Sequence, residues 1–416
     1  MNKVLPNAEW LKDRDLQKLL ELLSADGEEA MVNGGAVRNS LLGEPVADVD
    51  LSTTLLPEQV VGILQSANIK VVPTGIEHGT VTAVLNKRPF EITTLRSDIE
   101  TNGRHAIVQF GRDWLEDAKR RDFSVNALYV DKDGTVFDPL EGMIDIKARR
   151  IRFIGDAEDR IKEDFLRILR FFRFFAWYGT GAPDREALKA CVRMKNMIGD
   201  LSVERVWNEF RKLLSAPDPA RAILWMRQSG VLNVVLPESE KWGIDAFQRL
   251  VRTESELGWE IDPLLRLMAI IPPQQDIVSG LADRLRLSKV DGKRLLDWVN
   301  SVGSFDDVNE YELQKLIYKG SRQGIIDRLK LDLARLRELG MREDTALVDA
   351  VRISGLLDFA LAWEKPKFPL KGKDLIELGY LPGKELGEIL KSLEERWINA
   401  GFGGSKQKLL ENLPEI

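Results

Sequence analysis

The sequence predicts an α+β protein, with a small sheet in an N-terminal head and an all-helical remainder. Residues 1–152 alternate short β-like runs with turns and helical pieces, whereas nearly everything after residue 156 repeats with a helical period. The length of 416 residues allows two to three domains at roughly 150 residues each. We therefore divide the chain into a head at 1–152, a helical neck at 153–215, a helical body at 216–359 and a C-terminal tail lobe at 360–416.

Six short runs in the head have the composition of β-strands, because they are rich in β-branched and apolar residues. They span residues 29–33, 47–52, 70–72, 80–85, 90–95 and 128–130. The sequence Asp-Lys-Asp-Gly at 131–134 separates two extended segments and predicts a hairpin turn. Together these runs predict a small sheet with helices between several of its strands.

The remainder of the chain is predicted to be helical. The strongest helix spans 160–177, where apolar residues recur at i, i+3, i+4 and i+7 and form one buried face. Further helices are predicted at 202–214, 219–229, 280–300 and 324–339. Proline and glycine between residues 364 and 384 interrupt the helical pattern, and they place the start of the tail lobe near residue 360.

Composition excludes several classes of function. One cysteine and two histidines exclude an internal disulfide, a thiolate cluster and a histidine-rich metal site, so that carboxylates would have to hold any metal. The first thirty residues lack a signal-peptide pattern and no apolar run is long enough to span a membrane, which predicts a cytoplasmic protein without a membrane partner. No feature predicts a protein partner. The net charge of −6 means that any RNA contact would use a local basic patch.

The most informative segment joins a glycine pair to two aspartates. Gly34 and Gly35 stand between a predicted strand and a helix start, where backbone N–H groups can approach a phosphate closely. Asp48 and Asp50 follow at i and i+2 of the next predicted strand, so their carboxylates share a face roughly 6.5 to 7 Å apart. Such a pair can hold divalent cations for phosphoryl or nucleotidyl transfer. The alternative is an ordinary turn followed by solvated carboxylates.

A third carboxylate and two further clusters extend this pattern. Glu91 begins an extended segment, and this strand can lie beside the strand of the two aspartates and supply a third carboxylate. The alternative is a surface glutamate on an edge strand. If residues 122–126 are helical, Asp122 and Asn126 share a face of the helix, and Arg121 beside them can contact a phosphate. The alternative is a helix start with a solvated cluster of charges. The pair Asp164 and Arg167 is three apart on the strong helix.

An aspartate beside an arginine can recognise a base. The carboxylate accepts a hydrogen bond from the amino group of cytosine or adenine, and the guanidinium donates to the ring, whereas uracil and guanine mismatch the pair. A bidentate contact discriminates by roughly 1 to 3 kcal/mol. The alternative is a surface ion pair worth a few tenths of a kcal/mol.

Five segments in chain order resemble the polymerase-β-type nucleotidyltransferases, and specifically the class II CCA-adding enzymes with their bacterial poly(A) polymerase relatives. The segments are Gly34-Gly35-x-Val37-Arg38 with Asp48-x-Asp50, Arg120-Arg121-Asp122-Phe123-Ser124-Val125-Asn126-Ala127, Asp138-Pro139-x-x-Gly142-x-x-Asp145, Glu163-Asp164-x-x-Arg167 and Glu204-Arg205-Val206-Trp207-x-Glu209. The likeness is weaker beyond about residue 235. It implies a polymerase-β-like head that adds nucleotides to RNA.

The resemblance implies a role for each candidate residue. Asp48 and Asp50 would hold two Mg²⁺ ions with Glu91 as a further catalytic carboxylate, and Gly34, Gly35 and Arg38 would cradle the triphosphate. The remaining nucleotide-binding candidates are Arg121, Asp122, Asn126, Glu163, Asp164, Arg167 and Arg170. The implied reaction adds C, C and A to the 3′ end of tRNA from CTP and ATP. In the family, a flexible loop at the position of residues 97–105 favours addition of the terminal A.

A local basic excess lies at residues 147–173, with nine Lys and Arg against five Asp and Glu. Because phosphate contacts dominate nucleic-acid affinity, we expect RNA to bind at Arg149, Arg150, Arg152 and Arg173. A solvated charged face is the alternative.

Two rival functions and one departure accompany this interpretation. The rivals are a poly(A) polymerase or A-only adding enzyme, and a catalytically silent RNA-binding protein. Where the family has Asp after the arginine of its first motif, this chain has Asn39. Asn keeps a hydrogen-bond acceptor without the charge, so we expect Asn39→Asp to change turnover only modestly.

Overall fold

The computed structural model describes residues 3–5, 8–102, 105–301, 304–341, 343–411 and 413, with the backbone alone for 97–102 and 105–108. The chain separates into two compact units. The first comprises Met1–Lys241 with Ile261–Pro263, and the second comprises Trp242–Glu260 with Leu264–Ile416. The four-part division derived from the sequence stays a prediction.

The first unit contains the sheet that the sequence predicts. Its strands are β1 (Lys3–Val4), β2 (Ala30–Asn33), β3 (Asp50–Thr53), β4 (Lys70–Gly75), β5 (Thr80–Leu85), β6 (Arg88–Thr94), β7 (Arg96–Asn102), β8 (His105–Phe110), β9 (Tyr129–Val130) and β10 (Thr135–Phe137). Within the described residues, eight of these form one sheet in the order β1-β10-β9-β2-β3-β6-β5-β4, and β7 pairs with β8. Each of the six candidate strands is confirmed in part or in full, and so is the hairpin between β9 and β10.

Helices connect the strands of the head and make up the rest of the chain. In the first unit they are α1 (Arg14–Leu23), α2 (Gly35–Leu42), α3 (Pro57–Ser66), α4 (Trp114–Lys119), α5 (Gly142–Ala148), α6 (Ala157–Glu163), α7 (Leu166–Tyr178), α8 (Arg185–Met194), α9 (Val203–Leu214), α10 (Ala220–Gln228) and α11 (Val231–Val235). They continue with α12 (Ile244–Leu257), α13 (Pro263–Ile270), α14 (Gln275–Arg284), α15 (Lys289–Val299), α16 (Glu310–Lys319), α17 (Arg322–Leu339), α18 (Asp344–Ala362), α19 (Gly372–Ile376), α20 (Lys384–Asn399) and α21 (Lys406–Leu410). The α+β class predicted from the sequence is confirmed.

The pairing of three strands brings the glycine turn and the carboxylates to one end of the sheet. Strand β2 runs antiparallel to β3, with Asn33 opposite Asp50. Strand β6 runs parallel to β3, with Ile92 opposite Leu51. Glu91 therefore lies beside Asp50, and the expectation that the strand of Glu91 is the neighbour of the aspartate strand is confirmed.

Four predicted elements differ from the observed ones. The strand predicted at 47–52 begins only at Asp50, so Asp48 lies in the preceding loop. The helix predicted at 160–177 is interrupted at Asp164, whose backbone is extended with φ −156° and ψ 109°. The helix predicted at 280–300 is interrupted after Arg284, where Arg286 adopts a left-handed φ of 48°. The segment at 97–105, expected as a loop, contains strands β7 and β8 with residues 103 and 104 outside the described part.

Aromatic packing fixes α7 against the head within the first unit. The ring of Phe123 lies 5.0 Å from that of Phe174 and 4.9 Å from that of Phe153. Phe153 stacks on Phe171 at 5.8 Å. Because aromatic pairs add about 0.5 to 1.5 kcal/mol beyond area burial, this cluster holds the polar face of α7 at a fixed position beside the sheet.

The second unit has its own apolar core between α17 and α18. Leu329, Leu333, Ile353 and Leu357 belong to this core and are almost fully buried. Nearer the C-terminus, the rings of Tyr318, Trp397 and Phe402 pack against one another, with centroid distances of 5.2 to 5.7 Å. Among the described residues, no helix combines the length and the apolar character needed to cross a membrane.

Candidate active site

The glycine pair forms a tight turn between β2 and α2. Gly34 has a φ of 63°, a conformation that other residues adopt only with strain. An added Cβ there would also lie 3.5 Å from the guanidinium of Arg121. Helix α2 begins directly after this turn, and the N-terminus of a helix is a position that favours an anion.

Asp50 and Glu91 bring negative charge to the same end of the sheet. Desolvation by the surrounding protein, the carboxylate of Glu91 and that of Asp48 all raise the pKa of Asp50, and Arg121 opposes them. No side-chain hydrogen bond or ion pair joins these three carboxylates to another group in the described part of the chain. Across those same residues, no three histidine, cysteine, aspartate or glutamate side chains form a complete metal cluster.

A buried network holds Arg121 beneath these carboxylates. The fully buried Asp117 pairs with Arg121 at 3.1 Å and with Arg120 at 2.6 Å, and it accepts a hydrogen bond from Tyr129 at 2.7 Å. Burial alone would raise the pKa of Asp117, but the two arginines hold it below its ordinary value. Arg121 also donates to Asn33 Oδ1 at 2.9 Å. Its guanidinium is thus fixed facing the end of the sheet.

Tyr129→Phe is expected to lower the free energy of unfolding by about 1.5 kcal/mol, the lower end for a hydrogen bond to a charged group. The change removes one donor from the buried Asp117 carboxylate, which keeps both arginines. Chemical denaturation of the purified chain measures the effect. Tyr311→Phe, which removes a hydrogen bond to the exposed end of α20, is the control, and an equal loss there would contradict the special role of the buried network.

Arg38 links α2 to the end of α7. Its Nη1 donates to Asn126 Oδ1 at 2.6 Å and its Nη2 to the Tyr178 hydroxyl at 2.8 Å. The guanidinium also lies 4.2 Å from the centre of the Tyr178 ring, a favourable cation–π geometry. Arg38 is therefore engaged by the protein and holds Asn126 in place.

Asp122 and Asn126 lie together, although not on the helix that their spacing predicted. Asn126 ends a short 3-10 turn, and its Nδ2 donates to Asp122 Oδ1 at 2.9 Å. Arg170 donates from Nε to the other oxygen of Asp122 at 2.8 Å. Burial raises the pKa of Asp122, but Arg170 and Asn126 outweigh it and keep the pKa below its ordinary value. Asp122 is thus a charged acceptor within the site.

Asp164 and Arg167 both face the site, but each is held by another residue. Asp164 Oδ1 accepts from the N–H of Leu166 at 3.1 Å, and Oδ2 pairs with Arg205 at 2.6 Å. Arg167 pairs with Glu163 and donates to the carbonyl of Arg160 at 3.0 Å. The aspartate and arginine are therefore fixed independently at the break between α6 and α7, rather than side by side on one helix.

The four arginines predicted to bind RNA have acidic partners in the protein. Arg150 and Arg152 both pair with the buried Asp145, at 2.5 and 2.8 Å, and Arg173 pairs with Glu209. Arg149 Nη1 lies 3.7 Å from the carboxylate of Glu44. Their side chains keep between 16 and 44% of their surface exposed, so an RNA contact stays a prediction.

A cleft of about 520 Å³ collects most of the candidate residues. Its lining consists of Asn33, Gly34, Gly35, Arg38, Asp50, Arg121, Asp122, Asn126, Asp164, Leu166, Arg167, Arg170, Phe174 and Arg205. Sequence reasoning missed Asn33, Leu166, Phe174 and Arg205 as site residues. For Arg205 a signal was present, since it belongs to the last of the five motifs. Asn33, Leu166 and Phe174 are marked only by the candidate residues next to them in the sequence.

Comparison with known proteins gives matches along nearly the whole chain. A family model described as the poly A polymerase head domain matches residues 30–152. A second, described as a probable RNA and SrmB-binding site of polymerase A, matches residues 182–242. The mitochondrial CCA tRNA nucleotidyltransferase 1 of Mus musculus is 34% identical over 97% of this chain and 91% of its own length.

Two bacterial proteins give similar results. The CCA-adding enzyme of Lactococcus lactis is 31% identical over 91% of both chains. The crystal structure of the Bacillus stearothermophilus CCA-adding enzyme in complex with CTP superposes with a TM-score of 0.64 at 28% identity, covering 92% of each chain. The likeness therefore includes the helical remainder as well as the head.

Proposed function

The chain belongs to the family of CCA-adding tRNA nucleotidyltransferases, and from this premise we propose that it adds C, C and A to the 3′ end of tRNA. The substrates are CTP and ATP, and no nucleic-acid template takes part. The RNA 3′-hydroxyl attacks the α-phosphate of the nucleotide, forms a phosphodiester bond and releases pyrophosphate. The main support for the proposal is that the glycine turn, Asp50, Asp164 and Arg167 line one and the same cleft.

The carboxylates of Asp48 and Asp50 fit a pair of Mg²⁺ ions. Asp50 lies beside Glu91 without an ion-pair partner in the described residues, and desolvation together with the neighbouring carboxylates raises the pKa of Asp50. Two carboxylates are enough protein ligands for these ions, because protein-bound Mg²⁺ commonly completes its coordination with water and substrate phosphates. When bound, the ions lower the pKa of the attacking hydroxyl and neutralise the leaving pyrophosphate.

The remaining cleft residues would bind the nucleotide. Gly34 forms the turn and donates its own N–H to the carbonyl of Leu128, so Gly35 would offer its backbone N–H to the triphosphate at the start of α2, with Arg121 beneath the turn. Arg38 holds Asn126 at the side of the cleft where Asp122 and Arg170 meet, so this cluster suits a ribose hydroxyl and a phosphate oxygen.

Asp164 and Arg167 would read the base. Arg205 orients the carboxylate of Asp164, and Glu163 orients the guanidinium of Arg167. Both side chains are therefore in position before the base binds. A fixed acceptor beside a fixed donor matches the Watson–Crick edge of cytosine or adenine. Selection of CTP and ATP then needs no template strand.

The RNA acceptor end would approach past Arg149, Arg150, Arg152 and Arg173. They pair with Glu44, Asp145 and Glu209, and part of each arginine side chain stays exposed. Such arginines can still contact phosphates, since a guanidinium has five N–H donors.

A cytoplasmic location stays a prediction, because the similar mouse protein is named as mitochondrial.

The direct test supplies tRNAs that end at the discriminator base, at C or at CC with each nucleotide separately, and sequences the products. We expect CMP on the first two substrates and AMP on the third. Failure to add C to the shortest substrate would contradict full CCA addition. Runs of A beyond one residue would instead support the poly(A) polymerase alternative, and binding without any incorporation would support a silent RNA-binding protein.

A further inference from the structure

The side chain of Asn39 joins helix α2 to the loop that leads to Asp48. Its Oδ1 accepts hydrogen bonds from Arg38, at 3.1 Å from Nε and 2.8 Å from Nη2. Its Nδ2 donates to the carbonyl of Pro45 at 2.7 Å. One amide group therefore connects an arginine of the cleft with the loop that follows α2.

The two ends of this amide are assigned by chemistry. A guanidinium can only donate hydrogen bonds and a backbone carbonyl can only accept them. The oxygen of Asn39 must therefore face Arg38, and its nitrogen must face Pro45. An aspartate in this position would keep the contact with Arg38 but would turn a second oxygen toward the Pro45 carbonyl.

Contacts of Asn39 and Arg149 fix the first half of the loop. The N–H of Glu44 donates to the backbone carbonyl of Asn39 at 2.8 Å. Arg149 donates to the carbonyl of Leu42 at 3.3 Å. Within the described residues, no side-chain hydrogen bond reaches positions 46–49. Pro45 is thus the last loop residue held by a side chain before Asp48, and Asn39 holds it.

We propose that Asn39 is a positioning residue that sets the position of Asp48 through the Pro45 carbonyl. The inference rests on the proposed function, in which Asp48 binds Mg²⁺. It also gives a physical meaning to the departure from the family pattern. In this chain the amide nitrogen has a partner of its own, so the loop is held by a contact that an aspartate cannot make.

Asn39→Asp is expected to raise the Mg²⁺ concentration for half-maximal activity about tenfold, the lower range for loss of a group that orients a metal ligand. Turnover at saturating Mg²⁺ should fall by less than tenfold, because Asp48 itself is intact. The KM for CTP should change less than twofold, since the glycine turn and Arg167 are untouched. A purely structural role would move the melting temperature and leave the Mg²⁺ dependence unchanged.

Ser40→Ala is the matched control. Ser40 is the next residue on the same helix, and its hydroxyl accepts a hydrogen bond from Trp10 at 2.8 Å rather than holding the loop. The control should keep the Mg²⁺ dependence of the unsubstituted chain. An equal shift in both variants would overturn the proposal, because it would show general loosening of α2.

Hydrogen exchange without metal gives a readout that does not need activity. The peptide covering residues 43–49 should exchange faster in Asn39→Asp than in the unsubstituted chain or Ser40→Ala. If the unsubstituted chain adds nucleotides and Asn39→Asp shows neither this change nor a shift in Mg²⁺ dependence beyond twofold, the inference is wrong and the proposed function stands. If the unsubstituted chain adds no nucleotide, the proposed function fails, and the exchange measurement alone decides whether Asn39 holds the loop.

Discussion

Asp50→Asn is expected to reduce nucleotide incorporation at least about a thousandfold, because metal-ion catalysis contributes several kcal/mol and each 1.36 kcal/mol is tenfold in rate. Asp50 starts β3 opposite Asn33 and lies beside Glu91, so an amide keeps its shape and removes the charge that a cation requires. The protein should remain folded, since a neutral amide removes both the desolvation of the charge and the repulsion between carboxylates that raise the pKa of Asp50.

Incorporation of labelled CMP into tRNA measures this loss, and fluorescence anisotropy measures tRNA affinity in parallel. Affinity should stay within twofold of the unsubstituted chain, because Asp50 holds no arginine of the basic patch. Asp133→Asn, in the exposed turn before β10, should leave both quantities unchanged. An Asp50→Asn variant that still incorporates CMP at a tenth of the normal rate would refute the assignment of Asp50 as a metal ligand.

The sheet of the head could be predicted from the sequence because its strands are short apolar runs between turns. The limits of the strands were less accurate. Asp48 was placed on a strand by alternation alone, whereas the loop held by Asn39 and Arg149 continues to Asp50. Contacts of this kind, between a side chain and a backbone carbonyl, cannot be recognised from the alternation of apolar and polar residues along the sequence.

The break before α7 is a second boundary that hydrophobic periodicity does not predict. The apolar pattern of 160–177 continues through Asp164, so periodicity predicts one helix. Asp164 instead accepts from the N–H of Leu166 and pairs with Arg205, which is 41 residues away. A partner at that separation is a result of tertiary folding, so the sequence indicated the base-reading residues but not their geometry.

The network beneath the site was the part least accessible to sequence reasoning. Asp117 precedes the second motif and looks like one more charged residue of an exposed helix. Its burial beneath Arg120, Arg121 and Tyr129 follows from how α4 packs beside the sheet. The motifs identified the groups that face the cleft, whereas the groups that orient them became visible only in three dimensions.

Arg167→Ala is expected to lower the preference for CTP over UTP by about one to two decades, the value of one bidentate base contact. The carboxylate of Asp164 would remain in place because Arg205 holds it, so nucleotides would still bind without their ring contact. Competition between CTP and UTP on tRNA ending at the discriminator base, followed by sequencing, gives the ratio.

Arg160→Ala separates base reading from loss of an ion pair. Both Arg160 and Arg167 contact the same oxygen of Glu163, but only Arg167 lines the cleft. If the guanidinium of Arg167 reads the base, only Arg167→Ala should relax selectivity, and Arg160→Ala should keep it within twofold. Equal relaxation in both variants would mean that selectivity depends on the charge balance around Glu163. A total loss of incorporation in Arg167→Ala with unchanged selectivity in the residual products would assign Arg167 to triphosphate binding instead.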